Sequence, residues 1–393
     1  MTSRYFPDFS EFSADRLRER GSLKWSTYPD AIGTWVAEMD FGISPAIAAT
    51  IQRAATDGAF GYLIPADKAA MQDASAEWLG RRYGWEVPPE TVFVYPDVVA
   101  VLESVLEHVL QPGLPVVIPT PTYMPFLSHP ALLKRAIIQV PSRVGPDGRY
   151  SLDLAGIEAA LKPRGGLLIV CNPWNPVGRV LTRKELEDIE RIVIATGARV
   201  FADEVHGPVV LDEDRRHIPY ASISPIAASH TITGTSTSKG FNIPGLKCAQ
   251  GIVTSEADRA ALAAWAEHYE ELASPLGVKC TVVAYRDSDD WLAEVLDVLR
   301  ANRDLFAREL SKALPNAGHY PTEGTFLAWI DLRPYGITAP GEFALQQAKV
   351  AAIDGANCGS PGHLRVNLAM SPDNVMELVR RLAAAITGES RGS

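Results

Sequence analysis

Between about residues 45 and 280, short apolar runs of strand length alternate with amphipathic helical stretches, and this alternation limits the possible folds most sharply. Val92-Phe93-Val94 reads as a strand. Val98, Val101, Leu102, Val105, Leu106 and Val109 follow at helical spacing. Val116 to Ile118 reads as the next strand, and the fully apolar Leu167 to Val170 as a buried parallel strand. Leu181 to Ala195 reads as a helix, with Thr182 as N-cap and Glu185 at the capping-box spacing. Arg199 to Ala202 and Thr231 to Thr235 return to strand. Strand–helix alternation predicts an α/β fold with a mainly parallel sheet flanked by helices. Beyond about residue 290 the pattern changes to a long helix (Trp291 to Leu314), a strand (Thr325 to Asp331) and a terminal helix from Pro372. We therefore expect a large domain over residues 46–285 and a smaller α+β domain over 286–393. Residues 1–45 are expected to join the small domain, and GESRGS at the end reads as a frayed tail.

Charge and cysteine usage exclude several function classes. The 37 Lys and Arg against 47 Asp and Glu give a net charge of -10, with no basic run to grip a phosphate backbone, so no nucleic-acid partner is expected. No stretch approaches the roughly 20 apolar residues that cross a bilayer. The first residues lack the apolar core of a signal peptide. Cys171, Cys248, Cys280 and Cys358 are widely spaced, which argues against a disulfide framework or a zinc site and for a reducing cytoplasm.

In open α/β sheets ligands bind beyond the carboxyl ends of the strands, so the polar residues there are the candidates. Lys239, in TGTSTSKGFNIPGLK, follows a β-branched strand. Alone it reads as a loop lysine. An imine-forming lysine must lose its proton and therefore sits in a partly buried, electropositive site, and Ser236 and Lys247 are suited to hold a phosphate beside it. Asp203 ends an apolar strand, either as a helix cap or ion-pair partner or as the carboxylate that keeps a pyridine nitrogen protonated. Asn175 in CNPWNPVGR either shapes a turn or donates its amide to a phenolic oxygen. His206 is either a structural histidine or acts on that same oxygen. The helix start after Tyr95-Pro96-Asp97 offers backbone N–H groups to an anion, although Asp97 would repel a phosphate there unless it is turned away as a cap. Arg365, in an apolar run, needs either a structural acid or a carboxylate substrate.

The ordered runs CNPWNPVGR, ADEVHGP, STSKGFNIPGLKCA and LRVN resemble the fold-type I enzymes dependent on pyridoxal 5'-phosphate (PLP), in the class I/II aminotransferase superfamily. LKWSTYPDAIGTWVAEMDFGISP and Phe60-Gly61-Tyr62 resemble the MalY/PatB branch of cystathionine β-lyase-like C–S lyases. The resemblance runs from about Leu23 to the final helix. It implies that Lys239 carries PLP as a Schiff base and later moves the substrate Cα proton. It further implies that Asp203 pairs the ring nitrogen, that Asn175 and His206 flank the phenolic oxygen, and that Tyr123 stacks on the ring. The backbone at Val98 and Val99, with Ser236 and Lys247, would hold the phosphate, and Arg365 the substrate carboxylate. Tyr62 would reach the phosphate of a neighbouring subunit, which implies a homodimer with shared sites. The implied reaction is α,β-elimination from an L-cysteine S-conjugate of the cystathionine kind. The same residues would serve an aminotransferase or a specialised S-conjugate enzyme, including one catalysing decarboxylative deamination. Two residues depart from the family pattern: Trp174 replaces a usual histidine and Phe326 a usual tyrosine. Both are expected beside the substrate or the residues that support it, and the indole would shape the pocket for an unusual conjugate.

Overall fold

The protein is described as a computed structural model that covers residues 4–6 and 8–388; apart from Gly388, the expected tail lies outside the described residues. A seven-stranded sheet is built from β1 (Val92–Tyr95), β2 (Val116–Thr120), β3 (Ile137–Pro141), β4 (Leu167–Cys171), β5 (Arg199–Asp203), β6 (Thr231–Thr235) and β7 (Ala249–Val253). Its order is β1-β7-β6-β5-β4-β2-β3. Every residue of β2 and β4 is buried, as expected of parallel strands covered on both faces. Only β7 runs antiparallel to its neighbours. The sequence reading missed it, because Ala249-Gln250-Gly251 interrupts the apolar signal. Gly251 is needed there: a Cβ would stand 2.8 Å from the Tyr95 ring.

Three local devices place the helices that matter for the site. The helix α1 (Val98–His108) follows β1 directly and is capped by Asp97, whose carboxylate accepts from the Ala100 N–H at 2.9 Å. The helix α2 (Arg183–Thr196) opens on the expected capping box of Thr182 and Glu185. The single turn α3 (Thr237–Gly240) follows β6 and carries Lys239.

The C-terminal part holds α4 (Asp289–Ala313), a four-stranded antiparallel sheet, and α5 (Pro372–Thr387). The sheet contains β8 (Gly318–His319), β9 (Leu327–Asp331), β10 (Ile353–Asp354) and β11 (His363–Asn367), in the order β8-β9-β11-β10. The strand β9 begins at Leu327 rather than at Thr325, because Thr325 sits at φ 69°, outside the extended region. One apolar cluster contains Phe6, Met39 and Phe41 from the N-terminal segment, Trp78 and Phe241, and Phe326 and Ala369 from the C-terminal part. The N-terminal chain thus shares a core with residues of both the central and the C-terminal parts. Among the described residues no helix is long and apolar enough to cross a membrane.

Candidate active site

Strand register brings the first half of the site together. Cys171 at the end of β4 is the direct neighbour of Asp203 at the end of β5, and Asp203 pairs in turn with Gly234 of β6. The loop after β4 carries Asn175, the loop after β5 carries His206, and the turn after β6 carries Ser236 and Lys239. With Val98 and Val99 of α1, they line one cavity of about 400 Å³. The Asp203 carboxylate accepts from the Val205 N–H at 3.2 Å and is approached by the Cys171 thiol at 3.7 Å. Lys247 lies at the opposite pole, 2.9 Å from Asp97. Val98 and Val99, whose N–H groups open α1 and have no partner within the helix, line the cavity beside Lys247.

The second half comes from the strap of residues 35–40 and from β11. The strap has no helix or strand of its own. Lys239 Nζ donates to the Ala37 carbonyl at 2.7 Å. Arg365, only 2% exposed, donates through Nη2 to the Trp35 carbonyl at 2.9 Å and through Nη1 to Asn175 Oδ1 at 3.2 Å. The Asn175 amide is therefore oriented with its NH₂ group left for another acceptor. Arg365 forms no ion pair among the described residues, and its Nε is buried without a hydrogen-bond partner. A buried guanidinium in that state is set up for an anionic ligand.

Burial dominates the protonation of the group. Together with the charge of Arg365 it brings the Lys239 ammonium down to about 8, against the opposing pull of Glu38 and Asp203. The Asp203 carboxyl is raised by burial to about 6, with the Val205 N–H and the Cys171 thiol working against the rise. Burial, then the charges of Lys239 and Arg365, hold His206 well below its ordinary value, so its ring is neutral at physiological pH. His206 Nδ1 is buried without a partner. A lysine with a lowered pKa beside a carboxyl with a raised one is the pairing expected of reactive groups in a shared cleft.

Ten of the sequence-selected residues line this cavity: Lys239, Asp203, Asn175, His206, Tyr123, Val98, Val99, Ser236, Lys247 and Arg365. Trp174 does not. Its indole is 2% exposed and packs in the core of the large sheet, with Nε1 donating to the Pro121 carbonyl at 2.9 Å. The expectation that it shapes the substrate pocket is therefore corrected: a ring with one polar atom is satisfied inside, against Tyr150. Phe326 also lies outside the lining. It packs edge-on against His206, at 5.5 Å between ring centres, and can act only through that imidazole. Tyr62 is 96% exposed and does not line the cavity of its own chain. The sequence reading missed the wall formed by Trp35, Ala37, Met124 and Ile353. The clue was in TWVAEMDF, whose contribution is mostly backbone carbonyls.

Comparison with known proteins gives a consistent neighbourhood. The family described as aminotransferase class I and II matches residues 35–382. Cystathionine beta-lyase of Corynebacterium glutamicum is 34% identical over 384 residues, covering 97% of this chain and 100% of the relative. Cystathionine beta-lyase PatB of Bacillus subtilis is 30% identical over 393 residues, covering 95% and 99%. Among solved structures, cystalysin from Treponema denticola, which contains a PLP cofactor, superposes with a TM-score of 0.89 at 26% identity, covering 97% of this chain and 99% of that one.

Proposed function

The chain belongs to the aminotransferase class I and II family, and from that premise we propose that it is a PLP-dependent carbon–sulfur β-lyase. It cleaves an L-cysteine S-conjugate of the cystathionine kind to a thiol, pyruvate and ammonia. The observation that carries this reading is the shared cavity of Lys239, Asp203 and Arg365, in a chain whose near relatives bear the names of such lyases.

The residues fit PLP. The start of α1, Ser236 and Lys247 form a pole for its phosphate, and Asp203 supplies a buried carboxylate for its ring nitrogen. His206, whose Nδ1 is unpartnered, and Asn175, whose NH₂ is left free, would hold its phenolic oxygen, and Tyr123 would pack on its ring. When bound, PLP serves as an electron sink for a substrate carbanion.

The chain's own groups do the rest. Lys239 would hold the cofactor covalently, and its side-chain amine would serve as the base at the substrate Cα. In the cofactor-free protein burial lowers the Lys239 ammonium to about 8, which favours the neutral amine that takes the Cα proton. Arg365 fixes the α-carboxylate and so orients the Cα–H bond. The Cβ–S bond breaks with its electron pair going to sulfur, and the thiolate takes up a proton. The released three-carbon enamine reacts with water to give pyruvate and ammonia.

Two copies are proposed to associate, with Tyr62 of one reaching the site of the other. Phe60, Tyr62 and Ile64 are all exposed, an apolar strip that supports such an interface. The cytoplasm is the proposed compartment, in keeping with four buried, unpaired cysteines.

A product assay tests the reaction. PLP-loaded protein is given L-cystathionine or a simple S-alkyl-cysteine without any keto acid. Thiol, pyruvate and ammonia appearing in step establish elimination. Turnover only after addition of a keto acid would make the protein an aminotransferase, since the same residues serve both outcomes.

A further inference from the structure

Lys24 and Asp40 lie outside the cavity, yet both are buried, with 0% and 5% exposure. Lys24 Nζ donates to Asp40 Oδ1 at 2.9 Å and reaches the carbonyls of Glu38 and Ala369, each at 3.4 Å. Trp25 Nε1 donates to the same Asp40 oxygen at 2.9 Å. Asp40 Oδ2 is buried with no partner. A buried pair with one unsatisfied oxygen is a poor source of stability, because desolvation offsets the attraction, and an apolar pair of similar volume serves a fold as well or better. Its presence needs another reason.

The reason is in what the pair holds. All three contacts of the Lys24 ammonium tie the end of the strap to the chain just after β11. The Asp40 N–H donates to the Ala369 carbonyl, and Asn367 Nδ2 donates to the carbonyls of Val36 and Glu38, both at 2.7 Å. No sheet ladder sets the strap, so these side chains decide where its carbonyls stand. Two of those carbonyls, Trp35 and Ala37, receive the Arg365 guanidinium and the Lys239 amine.

We propose that Lys24 and Asp40 are positioning residues: the buried pair fixes the strap so that the Trp35 carbonyl holds Arg365 in register with the carboxylate of the bound substrate. The inference rests on the PLP reading above, and its test is chosen to fail separately from it.

The double variant Lys24→Met/Asp40→Leu replaces the pair by apolar groups. It is compared with wild type, both loaded with PLP, by melting temperature and by absorbance titration with L-norleucine and L-norleucinamide. Neither compound carries a leaving group at Cβ, and only the first carries the carboxylate that Arg365 binds. The expected result is an unchanged or higher melting temperature, L-norleucine binding weakened about tenfold, and amide binding nearly unchanged, because small misplacement of a positioning group has large effects. Lys24→Arg, which keeps the charge, should recover part of the L-norleucine affinity. Wild-type affinity for L-norleucine in the double variant would overturn the proposal, as would equal weakening for both compounds. A double variant that does not fold would also overturn it, since the pair would then be structural. If the wild-type protein itself fails to take up PLP, it is the cofactor reading that falls.

Discussion

The two halves of the cavity are built on different principles. Asp203, Asn175, His206 and Lys239 stand at the ends of parallel strands, where the ladder itself sets neighbour against neighbour, Cys171 beside Asp203 and Asp203 beside Gly234. The facing half is irregular chain. Residues 35–40 are held by hydrogen bonds to the side chains of Asn367, Asn242 and Lys24 and by one from the Asp40 N–H to the Ala369 carbonyl. The sheet half carries the chemical groups on a rigid frame, whereas the strap half orients them and depends on a few side chains. Substitutions in the first half should therefore abolish chemistry with little change in fold, and those in the second should disturb fold and affinity first.

The largest effect on turnover belongs to the sheet half. Lys239→Ala should lose the yellow absorption of bound PLP. Turnover should fall by on the order of 10²–10⁴-fold from the loss of proton transfer alone. In wild type, the rate at which the cofactor-free protein captures PLP should rise with pH and level off above about 8, where the amine is already neutral. A yellow, active Lys239→Ala protein would remove this lysine from the chemistry.

Asp203→Asn sharpens the contrast, because function and stability should move in opposite directions. Turnover should fall by on the order of 10²-fold, as for other losses of a preorganised charge. Stability of the cofactor-free protein should rise. The folded carboxyl titrates near 6 against an ordinary 3.8, so between those values the folded state keeps a proton that the unfolded chain has released. Stability then declines as pH rises through that window, and above it the full penalty is present. Removing the charge should give the cofactor-free variant an advantage of about 1–3 kcal/mol at neutral pH, and none below pH 3.8. Denaturant melts of both proteins across that range measure it, and parallel pH profiles would contradict it.

Breaking the strap half needs one substitution. Lys24→Met leaves the Asp40 carboxylate buried without its counter-ion, in a place where burial already raises its pKa. Stability should fall by about 3–5 kcal/mol. Turnover of the folded fraction should fall less than in either variant above. A melting curve indistinguishable from wild type would mean that the pair is solvated.

The same division explains what could be read in the sequence. Apolar runs and a capping box leave their signature in side-chain types, so β4, β5, β6, α1 and α2 were legible to within a residue or two, and so were the polar residues after each strand. The antiparallel β7 was not, because insertion of a strand between β1 and β6 depends on pairing partners about 20 and 150 residues away in the chain. The strap was not legible either. Trp35 and Ala37 contribute carbonyls, which every residue has, so their part in the site leaves no mark on residue choice. Lys24 read as one lysine among many until its burial was known.

Trp174 gives the smallest expected effect on turnover and tests the boundary of the sheet half. The residue lies one position before Asn175, which lines the cavity, yet its indole points into the core and donates to the Pro121 carbonyl. Trp174→Phe keeps an aromatic ring against Tyr150 and removes the N–H, leaving a buried acceptor unsatisfied. That should destabilise the protein by about 1–3 kcal/mol, while KM for an S-alkyl-cysteine and kcat stay at their wild-type values. The two readouts separate the two roles open to an unusual residue beside a site. A shift in melting alone assigns the indole to the packing that supports the Asn175 turn. A shift in KM would mean that the turn transmits the packing of residue 174 to the substrate through Asn175 and Arg365, whose side chains touch at 3.2 Å.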